Sequence, residues 1–70
     1  MIIFHLQEIL NKEGLSQNQF SKLSGVRPNT VNNICKNNLK RLELSTLEKI
    51  METLSDMGYS VEDIIKYNKW

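Results

Sequence analysis

The sequence feature that most restricts the fold is a pair of short helix patterns joined by a glycine. Ser16 and Gln19 have the S-x-x-Q spacing of a capping box, which marks the beginning of a helix. Gly25 follows in the chain and suits a tight reversal, because glycine adopts a positive φ at little cost. Pro28 fits the first turn of a further helix, where its missing N–H would have no partner. These signals predict two consecutive short helices, over about residues 17–23 and 28–36.

Apolar residues at helical spacing predict another helix before this pair, from about Ile3 to Glu13. Ile3, Leu6 and Leu10 are expected on its buried side, and Gly14 provides a C-terminal stop. In the following pair of helices, a small residue, Ser21, is expected where the two helices approach closely. The apolar residues that should pack the pair together are Phe20, Leu23, Val26, Val31 and Ile34.

The C-terminal half repeats the same signals. Ser45 with Glu48 has capping-box spacing and predicts the beginning of a fourth helix, and Ser60 with Asp63 predicts a fifth. No segment is predicted to form a strand. The sequence therefore predicts an all-α fold, a compact bundle of about five short helices that forms one domain over residues 1–70.

Charge is divided unevenly along the chain. The stretch from residue 14 to residue 42 holds five basic residues and no acidic one, and these are Lys22, Arg27, Lys36, Lys40 and Arg41. The rest of the chain holds four lysines and all eight acidic residues, so the formal net charge is only +1. Such a division predicts a local face that binds a polyanion on an otherwise acidic body.

The chain lacks the residues that several classes of function require. Cys35 and His5 are each the single residue of their type, so neither a disulfide nor a Cys/His metal site is expected. No catalytic constellation or glycine-rich phosphate loop is present, and we expect neither enzymatic activity nor a cofactor. No apolar run approaches the roughly 20 residues that span a bilayer. The first residues lack the pattern of a signal peptide, which favours a cytoplasmic location.

The predicted helix over residues 28–36 has an unusually polar outer face. Val31 and Ile34 are expected to face inward, which leaves hydrogen-bonding side chains such as Asn29 and Asn33 outside. A protruding helix of this kind fits the major groove of DNA, which is about 12 Å wide. An Asn amide can donate to N7 and accept from the N6 amino group of adenine. The face therefore has the chemistry to read base edges.

From Ser16 to Ile34 the chain resembles the Cro/repressor-type helix-turn-helix family, the XRE-like regulators, whose pattern is roughly S-Q-x-x-L-A-x-x-x-G-V-S-x-x-T-I-S-x-I. The resemblance extends over about residues 3–66 and implies a lambda-repressor-like DNA-binding domain with a central helix-turn-helix. The chain departs from the family pattern at Phe20 for Leu, Ser21 for Ala, Arg27 for Ser, and Cys35-Lys36-Asn37 for the common Glu-Asn-Gly.

The resemblance also implies roles by position. Gln17 would bind a DNA phosphate from the start of its helix. The helix over residues 28–36 would be the recognition helix, and its base-contacting residues would be Pro28, Asn29, Thr30 and Asn33. Phosphate contacts, which position a domain without reading sequence, are assigned to nearby basic and polar residues: Arg27, Lys36, Asn38, Lys40 and Arg41.

Large apolar side chains near the C-terminus suggest an interface. Tyr67 and Trp70 follow the predicted fifth helix, which carries Ile65, and a small domain has little core to hold so many late aromatic residues. Members of the family commonly dimerise in this region to read operator half-sites about one helical turn apart. We therefore expect a homodimer that uses Ile65, Tyr67 and Trp70.

The favoured interpretation is a sequence-specific transcriptional regulator, a repressor of the phage or mobile-element kind. A Cro-like switch protein and an antitoxin-type autoregulator remain open, with control by abundance, dimerisation or a protein antagonist or co-regulator. The alternative is a protein-interaction module on the same fold, such as an antirepressor, an adaptor or an antitoxin-like partner binder. The acid-free stretch favours DNA, because a protein interface has no general need to exclude Asp and Glu over 29 positions.

Overall fold

The helices follow the local stop and start signals of the sequence. A computed structural model describes residues 1–69. Its helices are α1 (Leu6–Glu13), α2 (Gln17–Ser24), α3 (Pro28–Cys35), α4 (Leu44–Asp56) and α5 (Val61–Ile64). Two short strands, β1 (Ile2–Phe4) and β2 (Ile65–Tyr67), pair in antiparallel fashion. No helix in this part of the chain is long and apolar enough to cross a membrane.

Two of the three predicted capping boxes are confirmed. The Ser16 hydroxyl accepts the Gln19 N–H at 3.0 Å, and the Gln19 side chain accepts the Ser16 N–H at 2.8 Å. At α5, the Asp63 carboxylate accepts the Ser60 N–H at 2.9 Å. The hydrogen bonds from Ser60 lower the pKa of Asp63, because they stabilise its charged form.

The prediction of a third capping box, Ser45 with Glu48, was wrong. Helix α4 begins one residue earlier, at Leu44, with Glu43 in the N-cap position and no side-chain hydrogen bond to the cap. Ser45 therefore lies inside the first turn, where its hydroxyl is not placed to cap. The backbone N–H groups at the beginning of α4 are left without a side-chain partner.

The predicted bundle of about five helices is confirmed, but the expectation that no segment forms a strand was wrong. Ile3 belongs to β1 and not to α1, and Ile65 belongs to β2 and not to α5. In the register of the sheet, Ile2 lies opposite Tyr67, Ile3 opposite Lys66 and Phe4 opposite Ile65. The sheet joins the two ends of the chain, so neither strand has a partner in its own neighbourhood of the sequence.

The core is formed by one side of each helix. Its fully buried side chains are Leu6, Leu10, Phe20, Val31, Ile34, Ile50, Leu54 and Ile64. Leu23, which we expected in this core, is 60% exposed. Helix α2 turns the side that carries Phe20, Ser21 and Ser24 inward. At about 100° per residue, Leu23 falls on the flank of that side.

Leu23→Ala should therefore cost little stability, whereas Leu10→Ala should cost much. Leu10 is fully buried, and deleting a buried leucine side chain lowers the free energy of unfolding by about 2–5 kcal/mol. For the exposed Leu23 we expect a loss of less than about 1 kcal/mol. Urea unfolding of both variants measures the difference. Equal losses would mean that Leu23 is buried after all.

Candidate nucleic-acid interface

Two buried serines fix the turn between α2 and α3. Gly25 has a φ of +77° and reverses the chain. The Ser24 hydroxyl donates to the Phe20 carbonyl at 2.8 Å and accepts the Val26 N–H at 3.2 Å. The Ser21 hydroxyl donates to the Val26 carbonyl. These bonds satisfy the buried backbone of the turn and hold α3 in one position relative to α2.

Helix α3 buries one side in the core and leaves the side chains of its other side without hydrogen-bond partners among the described residues. Val31 and Ile34 are fully buried. Pro28 and Asn29 are exposed, and Thr30 and Asn33 are half-buried. The side chains of Asn29, Thr30 and Asn33 make no hydrogen bond to any other residue within 1–69. The outer face of α3 therefore offers unused amide and hydroxyl groups, as the sequence predicted.

The beginnings of α3 and α4 open onto the same polar groove. This groove has a volume of about 340 Å³ and is lined by Gly25, Val26, Arg27, Thr30, Glu43, Ser45, Thr46 and Lys49. Neither helix has a side-chain cap, whereas α2 begins with a complete capping box. Free N–H groups and the positive ends of two helix dipoles favour an anion in such a groove. Ser45, Thr46 and Lys49 were not predicted at this groove, because no local pattern indicates that the beginning of α4 lies beside the beginning of α3.

The basic residues of the acid-free stretch are free of ion pairs. In the part of the chain that the structure describes, the single contact within 4 Å between a basic and an acidic side chain joins His5 Nδ1 and Glu8 Oε1, at 3.1 Å. Arg27, Lys36, Lys40 and Arg41 are all exposed. Glu43, the first acidic residue after the stretch, shares the polar groove with Arg27 and Lys49. The face is thus positive through unpaired cations, and the one carboxylate of Glu43 lines its polar groove.

The predicted phosphate residues do not all lie together. Arg27 shares the polar groove with Thr30, while Lys40 and Arg41 border a separate apolar groove. Gln17 is held at the contact with α1, where its amide donates to the Gln7 side chain at 2.9 Å. Its phosphate contact stays a prediction, and one amide hydrogen and its carbonyl oxygen remain outside that bond.

Asn37 is a structural residue that the sequence analysis did not single out. It has a φ of +57°, and it takes the position of the glycine in the common Glu-Asn-Gly of the family pattern. The Asn37 and Asn38 N–H groups donate to the Ile34 and Asn33 carbonyls at 3.0 and 2.9 Å, which closes a Schellman motif at the end of α3. An Asn directly after a predicted helix end was the available signal, since Asn tolerates the left-handed conformation.

Cys35 shows none of the surroundings of a reactive or metal-binding thiol. It is half-buried, and burial raises the pKa of its thiol, so less of the reactive thiolate is present at neutral pH. Among residues 1–69, no group of three or more His, Cys, Asp or Glu side chains is placed to hold a metal ion.

The residues suggested for a dimer interface differ in their exposure. Ile65 packs against the core, while Tyr67 is 68% exposed. Its cross-strand partner Ile2 is 60% exposed, which gives the end of the sheet a small apolar patch. Trp70 lies outside the described residues.

Comparison with protein families identifies the chain. Residues 5–69 match the model of the Cro/C1-type HTH DNA-binding domain, and this match spans nearly the whole chain. The protein therefore belongs to that family. No curated protein and no solved structure matches the chain.

Proposed function

We propose that this member of the Cro/C1-type family is a sequence-specific regulator of transcription that reads the major groove of DNA with α3. The observation that carries the proposal is the free hydrogen-bonding face of α3, whose Asn29, Thr30 and Asn33 side chains have no partner within residues 1–69. The family supports DNA binding as such. A repressor role, of phage, mobile-element or antitoxin type, is the further part of the proposal.

In this proposal the beginning of α3 enters the groove first. Asn29 and Asn33 lie four residues apart, so their side chains follow one another along the same side of the helix. Each amide can bind one adenine edge in a bidentate manner, and the Thr30 methyl can pack on a thymine methyl. Pro28 has no N–H and would add an apolar contact only. The site therefore favours half-sites that contain A·T pairs.

The phosphate backbone would lie along the exposed cations and the polar groove. Arg27 stands at the groove where the uncapped ends of α3 and α4 meet, and phosphate oxygens would supply the missing caps. Lys36, Asn38, Lys40 and Arg41 extend the contact beyond the end of α3. Gln17 would add a further contact through the part of its amide that Gln7 does not use.

A homodimer would place two recognition helices on neighbouring half-sites. The exposed pair of Ile2 and Tyr67 supports a contact at the sheet, since exposed apolar groups in a small domain are best covered by a partner. A two-fold dimer would read two half-sites about one helical turn apart. Control would then come from abundance, from dimerisation or from a protein antagonist or co-regulator.

A protein-interaction module is the second candidate. The apolar groove of about 320 Å³ between the sheet and the α3–α4 loop favours it, because the lining consists mainly of Ile2, Phe4, Leu39, Leu42, Leu47 and Ile65. Such a groove can receive an apolar side chain of a partner. In this second candidate the unpaired cations of residues 14–42 would have no particular use.

The experiment that tests the proposal is selection of binding sites from a random duplex pool at low and at physiological salt. We expect an enriched motif that survives the higher salt, and a two-fold symmetric motif if the protein binds as a dimer. Sedimentation with and without the selected duplex measures the oligomeric state. Binding without enrichment, or binding that disappears with salt, would favour the protein-interaction module.

Asn33→Ala should weaken binding to the selected sequence by about 1–3 kcal/mol and leave non-specific binding nearly unchanged, because it removes a base contact. Titration of the selected duplex and of an unrelated duplex measures both effects. Asn68→Ala is the matched control, since Asn68 is also half-buried but follows β2. An equal loss of affinity for every sequence would contradict the assignment of Asn33 to a base.

Arg41→Ala should weaken binding to all sequences alike and reduce the salt slope by about one, because it removes a phosphate contact. Dissociation constants measured over a series of salt concentrations give the slope. Lys12→Ala removes one positive charge from α1, away from the polar groove, and should leave the slope nearly unchanged. A change in sequence preference in the Arg41 variant would count against a purely backbone contact.

A further inference from the structure

The side chain of Asn37 joins the end of α3 to the first strand. Its carbonyl oxygen accepts the Phe4 N–H at 2.6 Å, and its amide donates to the Phe4 carbonyl at 3.1 Å. The two residues are 33 positions apart in the chain. This paired contact is here called the Asn37–Phe4 clamp. In it, one side-chain amide makes the two hydrogen bonds that a neighbouring strand would otherwise make to Phe4.

The clamp occupies the free edge of β1. Met1 and Asn68 exchange two backbone hydrogen bonds, at 2.6 and 2.7 Å. Bonded pairs alternate in an antiparallel ladder, so the next bonded pair is Ile3 with Lys66. The Phe4 N–H and C=O therefore point away from β2. Asn37 binds both groups, and the sheet is tied to α3 on that side.

The same residue holds the turn from which the DNA-binding groups extend. The Asn38 N–H donates to the Asn33 carbonyl, so the residue proposed to read a base is bonded to the turn that Asn37 begins. Lys40 and Arg41 follow four residues or fewer after the clamp and border the groove beneath the sheet. A shift of the clamp would move Asn33, and the loop that carries Lys40 and Arg41, relative to α2.

The conformation of the turn alone does not call for Asn. At a φ of +57° glycine is free of strain, and Asn is merely tolerated. What Asn adds over glycine is the amide that makes both bonds to Phe4. The clamp, and not the turn geometry, is therefore the distinctive contribution of this side chain.

We propose that Asn37 is a positioning residue for DNA recognition, through which the β1–β2 sheet fixes the C-terminal end of α3 and the following loop on the DNA. The inference rests on the proposed function. Asn37 itself touches no base in this proposal. It acts on Asn33 and on the loop of Lys40 and Arg41.

Asn37→Gly tests the inference, because glycine keeps the left-handed turn and removes both bonds of the clamp. We expect the variant to fold and to bind the selected duplex about tenfold more weakly, a change that corresponds to about 1.4 kcal/mol. Affinity for an unrelated duplex should fall less, because only the shift of the Lys40 and Arg41 loop affects it, whereas the selected duplex also loses the base contact of Asn33. The ratio of specific to non-specific affinity should therefore drop. Tyr59→Phe is the matched control, since it removes one long-range side-chain bond, to Glu13 at 2.7 Å, away from the interface.

The outcomes are distinct. A lower ratio in Asn37→Gly with an unchanged ratio in Tyr59→Phe supports the positioning role. An unchanged ratio in Asn37→Gly, or a variant that no longer folds, overturns it, because the clamp would then be dispensable or a general element of stability. If the unmodified protein itself shows no preference for any duplex, the proposed function fails and the inference falls with it.

Discussion

The turn between α2 and α3 is the constraint on which the proposed DNA-binding face depends. Reversing the chain there buries the N–H and the carbonyl of Val26, and an unpaired buried polar group costs about 1–3 kcal/mol. Ser24 accepts from that N–H and Ser21 donates to that carbonyl, while the Ser24 hydroxyl also donates to the Phe20 carbonyl. With each bond defined and Gly25 in the left-handed region, the turn has little freedom. The orientation of α3, and with it every proposed base contact, is therefore set by residues outside the proposed DNA-binding face.

The sheet gives this small domain its second constraint. A chain of 70 residues has a core that is only marginally sufficient, so contacts between distant segments matter. The ladder between β1 and β2 joins both ends of the chain, and the His5 N–H extends it with a bond of 2.8 Å to the carbonyl of Ile64, which is fully buried. The start of α1 and the end of α5 are thereby fixed together, and through Asn37 the end of α3 is fixed to them.

The parts of the fold that could be predicted are those with local signals. The boundaries of α2 and α3 follow from Ser16, Gly25 and Pro28, each of which acts within one turn of the chain. The strands could not be found this way, because the partner of Ile3 is Lys66 and pairing at that distance leaves no local pattern. The spacing of apolar residues also does not determine which flank of α2 packs on the core, so the prediction that Leu23 is buried was wrong. For the site, the residue types of α3 indicated its polar face. The polar groove could not be predicted, because it forms only where α4 lies beside α3 in the folded structure.

The pattern of satisfied and unsatisfied side chains supports the proposed DNA-binding face more directly than charge does. Several amide side chains are bonded within the fold. Gln17 donates to Gln7, Gln7 donates to Asn11, and Asn37 binds Phe4 through its amide oxygen and its amide nitrogen. The amides of α3 bind no other side chain or backbone group within residues 1–69, although α3 is held against α2 by the bonds of Ser21 and Ser24. Neutral groups fixed by rigid backbone suit discrimination between bases, and exposed cations outside them suit affinity that depends on salt. In the proposed complex, affinity and specificity would therefore come from different residues, and specificity would depend on how firmly α3 is held.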